Sequence, residues 1–145
     1  MPDQRARSAT RPTIPAEWAG QMIDAAVTRA QSMSVSVTVV VVDESGVLKG
    51  MLRMDGAPLV SVQTAINKAY AAAAIGMPPD DFYSAIEADG AAVAAFATRP
   101  GLALIAGGLP VIVGGQVAGG VGIAGAMTGA EDRTIAEAAV AAMSG

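Results

Sequence analysis

The run LALIAGGLPVIVGGQVAGGVGIAGAM, from Leu102 to Met127, carries no charged side chain. Such a run is buried in a core or in a bilayer. It is long enough to cross a membrane as a helix. Pro110 and the pairs Gly107-Gly108, Gly114-Gly115 and Gly119-Gly120 interrupt it at turn spacing. A helix broken so often leaves backbone groups that lipid cannot satisfy. The glycines instead cut the run into strand-length pieces. Three short strands are expected: Leu102 to Ala106, Val111 to Val113 and Gln116 to Ala124. Gly114-Gly115 makes a tight hairpin between the last two, and no membrane partner is expected.

Upstream, PAEWAGQMIDAAVTRAQS has helical spacing from Pro15 to about Ser32, with Trp18, Met22, Ala25 and Ala26 facing inward. SVSVTVVVVDESGVLKGMLRMD then alternates as a hairpin, turning at Asp43-Glu44-Ser45-Gly46. On the return strand Lys49, Met51, Arg53 and Asp55 fall on one face, and Leu48, Gly50, Leu52 and Met54 on the other. Gly56-Ala57-Pro58 ends that strand, and a helix runs to about Ile75, stopped by Gly76. Its apolar stripe is Val62, Ile66, Ala69 and Ala73. A second, polar stripe holds Ser61, Thr64 and Lys68. Pro78-Pro79-Asp80-Asp81 opens a short helix, and Ala91 to Ala97 is a further helical piece. Thr128-Gly129-Ala130-Glu131 reads as a capping box for a last helix, with Ile135, Ala139 and Ala142 inward. The fold class expected is α/β (α+β): a mostly antiparallel five-stranded sheet flanked by helices. The polar, Arg-containing start reads as a disordered tail over residues 1–13, and residues 14–145 as a single domain. That start has no apolar segment of a secretory signal, so a cytoplasmic protein is expected.

Composition narrows the chemistry. The 145 residues contain no Cys and no His, which removes thiolates, disulfides and the commonest metal ligand and general base together. No metal site is expected. Aromatic residues make up 3% and the net charge is −4. Nucleic acid is therefore not an expected partner, since stacking platforms and phosphate-neutralising charge are both lacking. GVGIAG, Gly120 to Gly125, matches a dinucleotide-binding pattern formally. The strand and acidic residue that complete such a site do not follow it. These glycines serve better to let another backbone or a flat ligand approach the sheet.

Residues 14–145 hold only six basic side chains, and Arg53 and Lys68 are two of them. Arg53 and Asp55 share a strand face, and Lys68 sits above Ser61 and Thr64 on the next helix. One pocket holding Arg53, Asp55 and Lys68 is expected. The bland alternative is surface solvation, and a further one is an ion pair at a subunit interface. A chain with so much apolar surface between Ala91 and Gly129 is expected to form a homo-oligomer.

The stretch VVVVDESGVLKGMLRMDGAPLVSVQTAINKAYAAA resembles the signature of the GlcG/HbpS-type haem-binding family, in its hairpin, its R-M-D-G-A corner and its K-A pair. GGLPVIVGGQVAGGVGIAG followed by AEDRTIA resembles the family's second signature. The resemblance spans roughly Pro15 to Met143 and extends to the C-terminal domain of PduO-type proteins. It implies a compact α/β fold, homo-oligomers, and binding of haem or corrinoid-related ligands with accessory roles in small-acid catabolism. Arg53, Asp55, Gly56 and Lys68 match the first motif, and Gly107, Gly108, Pro110, Gly122, Gly125 and Asp132 the second. Ala124 stands where the family has Ser, and Tyr70-Ala71 where a Thr often follows the K-A pair.

Two functions follow as expectations. One is a small-molecule-binding accessory protein, taking haem or a related tetrapyrrole without a His ligand. Its ligand-binding residues are Arg53, Asp55, Gly56, Ser61, Thr64, Lys68, Gly122, Gly125, Thr128 and Asp132. Met51, Met54, Tyr70 and Tyr83 remain as axial candidates, though Met ordinarily serves beside a His. The other is a cofactor-free enzyme, of isomerase/tautomerase or lyase type, on a small oxo- or hydroxy-acid. There Arg53 clamps a carboxylate, Lys68 moves a proton, and Asp55 orients it or acts as base.

Overall fold

The structure, a computed structural model, describes residues 9–143. Most of the expected tail, residues 1–8, lies outside the described residues, as do 144–145. Within them the order is α1 (Ala16–Ser32), β1 (Thr38–Asp43), β2 (Leu48–Arg53), α2 (Val60–Ile75), α3 (Pro79–Ile86), α4 (Gly90–Ala97), β3 (Gly108–Val113), β4 (Gln116–Ala124) and α5 (Gly129–Ala141). The four strands form one antiparallel sheet in the order β2-β1-β4-β3.

The sheet has four strands where five were expected. Leu102 to Ala106 forms no strand: residues 102–104 have no regular structure, and the chain bends at Ile105 and Ala106. Gly107, at φ 119°, turns the chain into the ladder, and its carbonyl accepts the Ile123 N–H at 2.8 Å before β3 proper begins. The alternation of β2 also departs from expectation. Val41 pairs with Gly50 but Val42 pairs with Leu48, so the strand bulges at Lys49. The extra residue moves Leu48 onto the face of Met51 and Arg53, opposite Gly50 and Leu52.

The two sheet faces are covered differently. Val37, Val39 and Val41 point into a core with Ile14, Met22, Ile23, Ala26, Ile123 and Ile135, built by α1 and α5. Trp18 packs at its margin, while Ala142 ends exposed beyond α5 rather than turning inward. The opposite face carries α2 over β1, β4 and β3, through Val40, Val42, Ala65, Ala69 and Ala73. That helix lies unusually close to the sheet. A Cβ at Gly120 would stand 2.6 Å from the Ala69 carbonyl oxygen, and one at Gly122 would collide with the Ala65 carbonyl. The glycines of the formal dinucleotide pattern thus let a helix backbone rest on the strand.

Local signals set the ends. Gly46, Gly114 and Gly115 take positive φ in the two hairpin turns, and Gly76 closes α2 in the left-handed conformation. Asp43 accepts the N–H groups of Ser45 and Val47 at 2.9 and 3.0 Å, fixing the first turn. Thr128 caps α5 by accepting the Glu131 N–H at 3.2 Å. Among the described residues no helix is long and apolar enough to cross a membrane.

Candidate functional site

The chain leaves β2 at Arg53 and enters α2 within a few residues, as the Gly56 break requires. Gly56 adopts φ 87°, a conformation that L side chains rarely take. At this corner Arg53, Met54 and Asp55 line an open cleft of about 450 Å³ with Leu52 and with Val27 and Gln31 of α1. A smaller cleft of about 270 Å³, bounded by Arg53, Met54, Asp55 and Gly56, lies at the same corner. Arg53 is held in place because its Nε–H donates to the Ala57 carbonyl at 3.1 Å. Among the described residues no carboxylate comes within ion-pair distance of its guanidinium. Its terminal NH₂ groups therefore stay available to a bound anion.

The floor of the corner is polar and buried. Ser61 donates to the Pro58 carbonyl at 2.5 Å, so the Thr38 hydroxyl is the donor in the 2.8 Å bond between Thr38 and Ser61. Gly125, at φ 119°, places its Cα side against the Ser36 carbonyl and the Ser61 side chain. Thr64 is spent within α2, donating to the Val60 carbonyl at 2.8 Å. Met54 turns its sulfur toward the residue that precedes β1, and Sδ accepts the Val37 N–H at 3.4 Å.

Lys68 is not at this corner. It lies seven residues beyond Ser61 on α2, roughly 10 Å along the helix axis at 1.5 Å per residue. Its side chain is buried between α2, β4 and α5, with the whole residue 2% exposed. Nζ donates to the Ile123 carbonyl at 2.9 Å and to Asp132 Oδ2 at 3.1 Å. Asp132, 5% exposed, also accepts the Ala126 N–H at 3.0 Å through Oδ1. Burial pushes the Asp132 carboxyl above the ordinary carboxylate range, while the Lys68 charge and the Ala126 N–H pull it back.

The ten residues singled out in the sequence thus divide. Arg53, Asp55, Gly56, Ser61 and Gly125 gather where β2 and β4 end and α2 begins. Lys68 and Asp132 form a separate internal ion pair. Gly122 is sealed under α2, Thr128 is committed to its helix cap, and Thr64 to its own helix. The single pocket expected of Arg53, Asp55 and Lys68 does not assemble, because Lys68 is buried beside Asp132. The cleft residues Val27, Gln31 and Leu52 were not anticipated. Val27 and Gln31 are four apart on α1, so their shared face was legible, but not the strand end it meets.

Comparison with known proteins agrees with this architecture. The chain is 34% identical over 114 residues to protein GlcG of Escherichia coli strain K12, covering 79% of this chain and 83% of that protein. A crystal structure of Klebsiella pneumoniae protein ORFY superposes with a TM-score of 0.89 at 30% identity, covering 95% of each chain. A crystal structure of a PduOC:heme complex superposes with a TM-score of 0.79 at 29% identity, covering 90% of this chain and 94% of that one. The family model described as "Haem degrading protein HbpS-like" matches residues 14–141. The antiparallel sheet, the R-M-D-G-A corner and the glycine-lined β4 are therefore those of a member of the HbpS-like family, to which this chain belongs.

Proposed function

We propose that the protein is a small-molecule-binding accessory protein whose ligand presents carboxylates on an apolar body, as haem and related tetrapyrroles do. Arg53 carries this reading. Its Nε is tied to the backbone, its side chain lines the cleft, and among the described residues no acid lies within ion-pair distance of it. A guanidinium so oriented offers a carboxylate two parallel hydrogen bonds. Val27, Leu52 and Met54 supply apolar wall beside it, and Asp55 supplies an acceptor for a donor on the ligand. The haem complex of the PduOC relative supports the ligand class. A homo-oligomer is part of the same reading, since apolar side chains of β2 stand exposed next to the cleft.

A Soret-band titration of the purified protein with haem tests this. A saturable shift is expected, weakened at least tenfold in Arg53→Met and clearly weakened in Arg53→Lys, which keeps the charge but loses the fork. No change in band position or width on addition of haem would overturn the reading.

A further inference from the structure

The donors present here do not fit the iron of haem. The chain has no His and no Cys. Met54, the thioether of the cleft, accepts the Val37 N–H with its sulfur. The Lys68 amine is buried and committed to Asp132 and the Ile123 carbonyl. The Tyr70 ring is wedged between two glycine turns: a Cβ at Gly46 would stand 2.7 Å from it, and one at Gly101 3.6 Å. Tyr70, Tyr83 and Met51 do not line either part of the cleft. Ferric iron is ordinarily held by imidazole, thiolate or phenolate, and Met serves with a His partner. None of those groups is offered at the corner, whereas the cation for an acidic substituent is.

We propose, resting on the binding reading above, that this site selects the acidic apolar ring and is indifferent to its metal. A metal-free porphyrin dicarboxylate then binds as tightly as haem. All of the protein's contribution is made at the ring edge, by Arg53, and along the apolar wall. Iron in a bound haem keeps only solvent or buffer as its axial partners, so it stays exchangeable and high-spin.

The test titrates the full chain with haem and, separately, with metal-free protoporphyrin IX. Quenching of Trp18, the single tryptophan, reads both ligands in the same way. Dissociation constants within about threefold of each other are expected. Arg53→Met should weaken both by the same factor of at least ten, and Met51→Leu, outside the cleft, should leave both within about twofold. The haem complex should show a high-spin visible spectrum that added imidazole converts readily to low-spin. Haem binding ten or more times tighter than the metal-free ring overturns the proposal and leaves the binding reading standing. So does a low-spin spectrum that one Met or Tyr substitution abolishes. Failure of both ligands to bind overturns the two together.

Discussion

At the scale of the residue, the informative pair is Lys68 with Asp132. Helical spacing put Lys68 on a stripe with Ser61, and that much was legible. The partner lies 64 positions away, beyond the reach of any local period. The stripe faces inward because Thr38 and Asp132 meet it there and the glycines of β4 leave room. Removing one partner of a buried pair leaves the other charge uncompensated. Lys68→Met should therefore cost about 3–5 kcal/mol in denaturant unfolding, and Lys68→Met with Asp132→Leu should recover most of that loss. A single variant within about 0.5 kcal/mol of the parent would mean that water reaches the carboxylate. The pair also predicts a pH dependence. Burial raises the Asp132 carboxyl above its ordinary value of 3.8, so the folded chain holds that proton more tightly than the unfolded chain does. The group's contribution is then largest below 3.8 and declines as pH climbs through the raised value. Asp132→Asn has no such proton. The stability of the parent minus that of Asp132→Asn should fall with rising pH across that window and then level off. A difference that climbs with pH would show that the Lys68 charge outweighs burial.

At the scale of the element, glycine punctuation carried most of the reading. The two hairpin turns, the end of α2 and the start of α5 stand where Gly46, Gly114-Gly115, Gly76 and Thr128 put them. The misreadings have one physical cause, which is that a strand exists only where an edge accepts it. Leu102 to Ala106 has strand composition, yet β3 already occupies the edge of β4, and the chain ahead of Gly108 finds no ladder. The bulge at Lys49 is likewise set by pairing with β1, which no alternation within β2 reveals. Glycine therefore means different things along the chain, and two alanine substitutions separate the meanings. Gly20 is an exposed position within α1, and a Cβ there meets nothing within 4 Å. Gly20→Ala should stabilise by about 0.5–1 kcal/mol through helix propensity alone. Gly122→Ala drives a methyl group into the Ala65 backbone, which cannot rotate aside. It should cost about 1–3 kcal/mol or more by overpacking. Paired thermal melts of the two variants check this, and equal shifts of either sign would remove the close helix–sheet contact as the explanation.

At the scale of the whole molecule, the layered α/β architecture was legible because apolar periods and turn signals agree across the chain. Which surfaces remain uncovered was not, because that depends on how far α2 reaches. It spans β1, β4 and β3 and leaves the same face of β2 bare. Leu48 and Met51 share that face and stay 54% and 37% exposed, Leu48 only because of the bulge. β2 is also an edge strand, so its outer backbone groups lack a ladder partner among the described residues. Apolar side chains on an open strand edge form a surface that monomers ordinarily blunt with charge, and here only Lys49 and Arg53 do so. Leu59 and Val60 at the start of α2 are exposed apolar residues as well, at 78% and 72%. Self-association through this surface is the expected state, with the Arg53 cleft at its border. Light scattering should report a mass that is a multiple of 14.4 kDa at micromolar concentration. Leu48→Glu with Met51→Glu, both outside the core, should lower the mass toward one chain while the far-ultraviolet circular dichroism stays unchanged. A parent protein at 14.4 kDa would refute the expectation, and a charged double variant that keeps the parent's mass would move the interface elsewhere.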